Sequence, residues 1–191
     1  PRYINRVRFG NIDNSSMCDV YGEFTANSTN LRIGESETLV LDFTNLNDSY
    51  NIGAWIDWNR DGDFDDTNEL VMNCVNAGTG NSQYSNTITT PTTAELGATR
   101  LRIRLLFNGD LCDACGDYIS GETEDYTVNV IASQPTLSVS PPSLDFGYIE
   151  NGSVSNEQSY TLTGTNLTDD VTVSPPAGFL ISTTSGSGYS S

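Results

Sequence analysis

Polar and apolar residues alternate along this chain in short runs rich in Val, Ile, Thr and Tyr, separated by clusters of Gly, Asn, Asp and Pro. A period of two sends successive side chains to opposite faces of an extended strand, and no stretch of a dozen residues carries the 3.6-residue period of an amphipathic helix. The pattern predicts an all-β chain with strands over Arg2 to Phe9, Glu37 to Phe43, Ile52 to Trp58, Tyr84 to Thr89, Arg100 to Phe107 and Tyr126 to Ile131. In the run from Arg100, Leu101, Ile103 and Leu105 face a core while Arg100, Arg102 and Arg104 face the other way. An unpaired row of like charges repels itself, so this row reads as a solvated face offsetting nearby carboxylates in preference to a ligand-binding stripe.

After Ile131 the pattern breaks at Ala132-Ser133-Gln134-Pro135, a stretch suited to a linker, and a second β segment starts at Thr136. Its runs are Leu137 to Val139, Leu144 to Phe146, Tyr160 to Leu162, Val171 to Val173 and Phe179 to Ile181. A complete sandwich uses about seven strands over roughly 100 residues, so these short runs predict the first part of a domain. The Gly/Ser-rich stretch from Ser185 to Ser191 cannot close a core. The expected organisation is a β-sandwich over 1–131, a linker over 132–135 and an incomplete β domain over 136–191.

Composition narrows the chemistry. The 191 residues carry 25 acidic side chains against 8 basic ones, a net charge of −17, and every basic residue is Arg. Such a surface repels nucleic-acid phosphates and anionic membranes, and no apolar run approaches the ~20 residues needed to insert across a bilayer. Without His there is no Ser-His-Asp or Cys-His nucleophile and no common zinc-hydrolase ligand set; without Lys there is no Schiff base or P-loop. The expectation is a chain that is not an enzyme in its own right. Opening at Pro1 with neither an initiator Met nor a signal peptide, it reads as a mature, processed or excised segment. Four cysteines, Cys18, Cys74, Cys112 and Cys115, in an acidic, Thr/Ser/Asn-rich chain fit two disulfides in an oxidising, extracellular setting. Of the three pairings four cysteines permit, the local one joins Cys112 to Cys115 and leaves Cys18 for Cys74.

The densest chemistry lies between Ile56 and Asp66, where oxygen-bearing side chains fall at every second position around Gly62. Ca²⁺ takes six to eight oxygens at about 2.3–2.6 Å, and such spacing wraps a loop around one point. Asp57, Asn59 and Asp61 take the leading positions, Asp63 offers its backbone carbonyl, Phe64 turns back into the core, and Asp65 reaches the ion directly or through water. The bidentate Glu expected at the twelfth position is Asn68, with Glu69 one residue later, so Glu69, Glu122 or Glu124 is expected to close the shell. Glu122 and Glu124 share one face of their strand and Asp125 takes the other. That pair also has the composition of a glycosidase acid and base, but nothing in the sequence marks a raised pKa or a sugar cleft, and metal ligation or loop bracing is the preferred reading. Trp55 and Trp58 read as core packing in preference to sugar-stacking platforms.

Three ordered stretches resemble the GEVED domain: Trp55-Ile56-Asp57-Trp58-Asn59-Arg60-Asp61-Gly62-Asp63-Phe64, then Thr99-Arg100-Leu101-Arg102-Ile103-Arg104, then Cys115-Gly116 with Gly121-Glu122-Thr123-Glu124-Asp125-Tyr126. In the last, Thr123 replaces the Val of the family motif. The resemblance spans Tyr3 to Val130 and implies a jelly-roll-like β-sandwich accessory domain of secreted or surface proteins of bacteria, often Bacteroidota, appended to peptidases and adhesins. From Pro135 onward the chain resembles the start of an Ig-like repeat of the same proteins, some of which use type IX secretion. Together these imply a non-catalytic, calcium-binding extracellular module for adhesion or structural display, in a fibre or an exoprotein. Its partners would be neighbouring domains or chains paired at β-edges, and glycans. The alternative is a calcium-dependent carbohydrate-binding accessory domain of a secreted hydrolase or peptidase.

Overall fold

The computed structural model describes residues 2–46, 50–107, 110, 112–118 and 120–190. The chain forms two compact units, Pro1–Ser133 and Gln134–Ser191. In the first the strands are β1 (Tyr3–Phe9), β2 (Ile12–Ser15), β3 (Tyr21–Arg32), β4 (Ser36–Leu46), β5 (Tyr50–Ile56), β6 (Leu70–Asn76), β7 (Gly80–Thr89), β8 (Gly97–Phe107) and β9 (Gly121–Ile131). Among the described residues no helix is long and apolar enough to cross a membrane.

The strands form a four-stranded sheet in the order β2-β1-β4-β7 and a five-stranded sheet in the order β3-β9-β8-β5-β6. Ladders are antiparallel except β3 with β9, which run parallel and pair Tyr21 with Thr123 through Arg32 with Ile131. The period-two pattern fills the space between the sheets: Ile4, Val7 and Phe9 from β1, Leu39 and Leu41 from β4, Ile52, Ala54 and Ile56 from β5, Leu101, Ile103 and Leu105 from β8, and Tyr126, Val128 and Val130 from β9. Full burial of such side chains contributes about 1.5–3 kcal/mol each. The fold is the expected all-β sandwich. Each of the six runs anticipated here lies in or overlaps a strand, and β2, β3 and β6 are additional.

The outer face of the five-stranded sheet is covered as well. Trp55 and Leu106 are buried yet stand apart from the inter-sheet core, and Arg104 is only 3% exposed. The expectation of a solvated Arg row is therefore corrected: Arg100 is open, Arg102 is largely covered and Arg104 is buried, because the segment 112–118 folds over them and supplies partners.

In the second unit, β10 (Thr136–Ser140) pairs antiparallel with β11 (Thr161–Thr165), setting Leu137 opposite Gly164 and Val139 opposite Leu162. The runs at Leu144 to Phe146 and Val171 to Val173 form no strand, and Ile181 makes only an isolated bridge to Ser190. No described residue of this unit is buried. A two-stranded ribbon without a packed face offers those runs nothing to pair with.

Candidate metal centre

The loop from Asp57 to Glu69 joins β5 to β6 and is shaped by its own side chains. The amide N–H groups of Asp61, Asp63 and Asp65 donate to Oδ1 of Asn59, Asp61 and Asp63, at 3.3, 3.2 and 3.2 Å, and the Gly62 N–H donates to Asp57 Oδ2 at 3.3 Å. Each bond turns the backbone back toward a preceding side-chain oxygen, and Gly62, at φ 97°, takes a conformation that a side chain disfavours. Arg60 pins the loop to the start of β8 through the carbonyls of Leu96 (2.8 Å) and Ala98 (3.2 Å). Beneath it, buried Glu69 accepts the N–H of Trp58 at 2.9 Å and of Asp66 at 3.3 Å, closing the two ends of the loop on one carboxylate. Burial pushes that carboxyl above the usual range.

This scaffold brings carboxylate oxygens of Asp61, Asp63 and Asp66 within 4.8 Å of one another. The Asn59 amide bridges two of them, donating to Asp61 Oδ2 at 2.9 Å and Asp66 Oδ2 at 2.6 Å. Asp57 is 6% exposed, and its Oδ1 is buried without a hydrogen-bond partner. An unsatisfied buried oxygen costs about 1–3 kcal/mol, more when charged, so the donor set fits a hard cation bound through oxygen.

Several expectations for this loop are corrected. Asp63 presents its carboxylate to the cluster, where a backbone carbonyl was expected. Asp66 joins in place of Asp65, because the chain leaves its alternating path and enters the turn that returns the Glu69 N–H to the Asp66 carbonyl at 3.3 Å. Asp65 lies against Asp63, whose carboxylate raises its pKa by hydrogen bonding and repulsion. Phe64 turns away from the core and stacks half-buried on the Arg102 guanidinium, 5.2 Å from its ring centre.

Glu122 and Glu124 do share one face of β9 with Asp125 opposite, but they do not join the loop. Glu122 Oε2 accepts the Ile4 N–H at 2.6 Å and Oε1 the Asp19 N–H at 3.1 Å. Glu124 bonds Ser16 Oγ at 2.6 Å and the Tyr126 hydroxyl at 2.9 Å. Both are 1% exposed. Burial pushes both carboxyls up, that of Glu124 to about 7. Their work is to brace β1 and the segment leading into β3, against the expectation that they close a metal shell.

On the opposite face Asp125 receives a two-pronged Arg102 fork, Nε to Oδ1 at 2.8 Å and Nη2 to Oδ2 at 2.7 Å, from its cross-strand partner. The Tyr21 hydroxyl adds 2.8 Å to Oδ2. Arg104 donates to Thr123 Oγ1 at 3.2 Å and to the carbonyls of Gly116, at 2.6 Å, and Asp113, and stacks on Tyr118. Gly121 is required for this packing, since a Cβ there would fall 2.0 Å from the Leu105 carbonyl oxygen.

The covalent link also differs from expectation: Cys74 is bonded to Cys112, Cα to Cα 5.8 Å, while Cys18 and Cys115 are free and exposed. The segment 112–118 is spread over the sheet by its carbonyl bonds to Arg102 and Arg104, which sets Cys112 over β6 instead of folding it back on Cys115.

These features define an all-β sandwich module with one sheet partly covered on its outer face as well and an acidic turn suited to a cation. Residues 51–129, from β5 into β9, match the GEVED domain family. No curated protein matches the chain. Among solved structures it is similar to a family 123 glycoside hydrolase from Clostridium perfringens, described for glycolipid glycan hydrolysis, at 16% identity and a TM-score of 0.33. The match covers 56% of this chain and 23% of that one, and a likeness so distant carries no argument about activity.

Proposed function

We propose that the unit Pro1–Ser133 is a non-catalytic, calcium-binding module of a secreted or surface multi-domain protein, serving adhesion or structural display. The observation that carries the metal reading is the orphaned, buried Asp57 Oδ1 on the same loop that gathers the Asp61, Asp63 and Asp66 carboxylates. Ca²⁺ suits an all-oxygen set on an irregular loop, whereas Mg²⁺ demands a tighter octahedron and keeps its waters. The non-catalytic reading is supported by Glu122 and Glu124, whose oxygens are taken up by the protein's own groups. Display is favoured over glycan binding because Trp55 and Trp58 are 3% and 4% exposed and offer no stacking platform. The disulfide and the acidic surface fit an extracellular place, and the family match fits an accessory role in a bacterial exoprotein. In this reading the second unit opens an Ig-like sandwich whose apolar face, Leu137, Val139 and Leu162, is completed by neighbouring β structure.

The test is a thermal melt in millimolar calcium against excess chelator. With free calcium about 100-fold above its dissociation constant, linkage adds roughly 2.7 kcal/mol, a large share of the ~5–15 kcal/mol typical of a domain. The melting temperature should fall on chelation, and Asp61→Ala should remove the difference. Equal melting temperatures for the unaltered chain in both conditions would leave the loop an acidic turn.

A further inference from the structure

With Cys74 and Cys112 joined, the two remaining thiols, Cys18 and Cys115, are both exposed and both lie in segments without regular structure. Topology brings those segments to one end of the five-stranded sheet. β3 and β9 run parallel and start side by side, Tyr21 beside Thr123. Cys18 lies three residues before Tyr21, and Cys115 lies on the segment that leads into Gly121. One side chain already bridges the two approaches: the Tyr118 hydroxyl donates to the Val20 carbonyl at 2.6 Å, and the same carbonyl accepts the backbone N–H of Thr123 in β9 at 3.1 Å. From the other direction Cys115 Sγ lies 3.5 Å from Arg102 Nη1, Arg102 Nη2 is 2.7 Å from Asp125 Oδ2, and that oxygen accepts the Tyr21 hydroxyl at 2.8 Å.

We propose that Cys18 and Cys115 form a second disulfide that clamps the segment leading into β3 to the cover over β8 and β9. A disulfide needs Cα atoms about 4.4–6.8 Å apart, and since neither cysteine lies in a strand, closing that approach leaves every ladder intact. The oxidant is an external disulfide, R–S–S–R. The thiolate of one cysteine attacks it, releasing R–S⁻ as a mixed disulfide forms; the second thiolate then displaces the other R–S⁻. Two protons leave the cysteines, two electrons reduce the external disulfide to two thiols, and one S–S bond replaces another. The closed bridge ties the cover that buries Arg104 to the strand whose Tyr21 completes the Asp125 site.

The experiment equilibrates the whole chain with oxidised and reduced glutathione at low protein concentration, blocks residual thiols by alkylation, and cleaves before aspartates without reduction. Cleavage at Asp113 separates Cys112 from Cys115, and cleavage at Asp19 releases a peptide ending at Cys18. The expected result is a Cys18–Cys115 peptide from monomeric protein beside Cys74–Cys112, with alkylatable thiols falling from two per chain to none. A Cys74→Ser/Cys112→Ser variant should still form the Cys18–Cys115 link. Alkylation of both thiols in fully equilibrated protein, a bridge from Cys18 to Cys74 or Cys112, or disulfide-linked dimers in place of the internal bridge would each overturn the proposal.

Discussion

Ser16 Oγ carries one hydrogen yet lies 2.8 Å from the Ile4 carbonyl and 2.6 Å from Glu124 Oε1. The count closes if Glu124 is protonated: its O–H donates to Ser16, Ser16 donates to Ile4, the Tyr126 hydroxyl donates to Oε2, and Asn14 Nδ2 donates to Tyr126 at 2.9 Å. The same state follows from the buried site, which holds the folded-state pKa at about 7 against an ordinary 4.5. A carboxyl raised on folding stabilises fully below the unfolded value and loses that contribution as pH rises through the folded one. Between pH 4.5 and 7 Glu124 should therefore withdraw about 3 kcal/mol of stability. Urea unfolding at pH 4.5 and 7.5 should show this slope, with Glu122 adding in the same direction, and Glu124→Gln should flatten most of it. An unchanged slope in the variant would place the titration elsewhere. Strand alternation made the facing of Glu122, Glu124 and Asp125 legible in the sequence. Their partners were not, because the Ile4 and Asp19 amides lie 118 and 103 residues away along the chain.

At the scale of elements, the strands that went unread are all sheet edges. β2 borders one sheet, and β3 and β6 border the other. An edge strand has one flank in solvent and often one face too, so polar residues along its length cost little and the alternation fades. In β3, Tyr21-Gly22-Glu23-Phe24-Thr25-Ala26-Asn27 carries almost no apolar period, while the interior strands β5 and β8 announce themselves. The acidic loop shows the same limit: spacing put Asp57, Asn59, Asp61 and Asp63 on one loop but did not show that the Asp66 carboxylate gathers with those of Asp61 and Asp63, because a turn breaks the period. That gives the metal reading a position-specific test. Asp66→Ala should weaken calcium binding at least about tenfold, a loss of ~1.4 kcal/mol, while Asp65→Ala should leave it within a few-fold. Calorimetric titration of the two variants decides between the two sets of ligands, and a larger loss at Asp65 would restore the alternating set.

Across the whole molecule the two units differ in what holds them. Pro1–Ser133 has a packed inter-sheet core and a second buried layer, and its β3–β9 pairing joins positions about a hundred residues apart, a topology that folds slowly because long loops must close first. Gln134–Ser191 has a ribbon, an aromatic contact between Phe146 and Phe179 at 5.4 Å, and no buried residue among those described. Expressed alone, residues 136–191 should show no cooperative transition by circular dichroism or calorimetry; a sharp two-state melt as a monomer would contradict this.

The Cys74–Cys112 bond also fixes how far the first unit can be drawn out under tension. In the proposed display role load runs along the chain, and the 38-residue span between the bonded sulfurs lies outside the path that load takes. At about 3.3–3.6 Å per extended residue, that span hides roughly 130 Å of contour. With Cys18 and Cys115 replaced by Ser to keep any second bridge from forming, single-molecule pulling should show the oxidised unit lengthening by that much less than the reduced one. Reductant would thus let the same unit reach much further under load without changing a single residue.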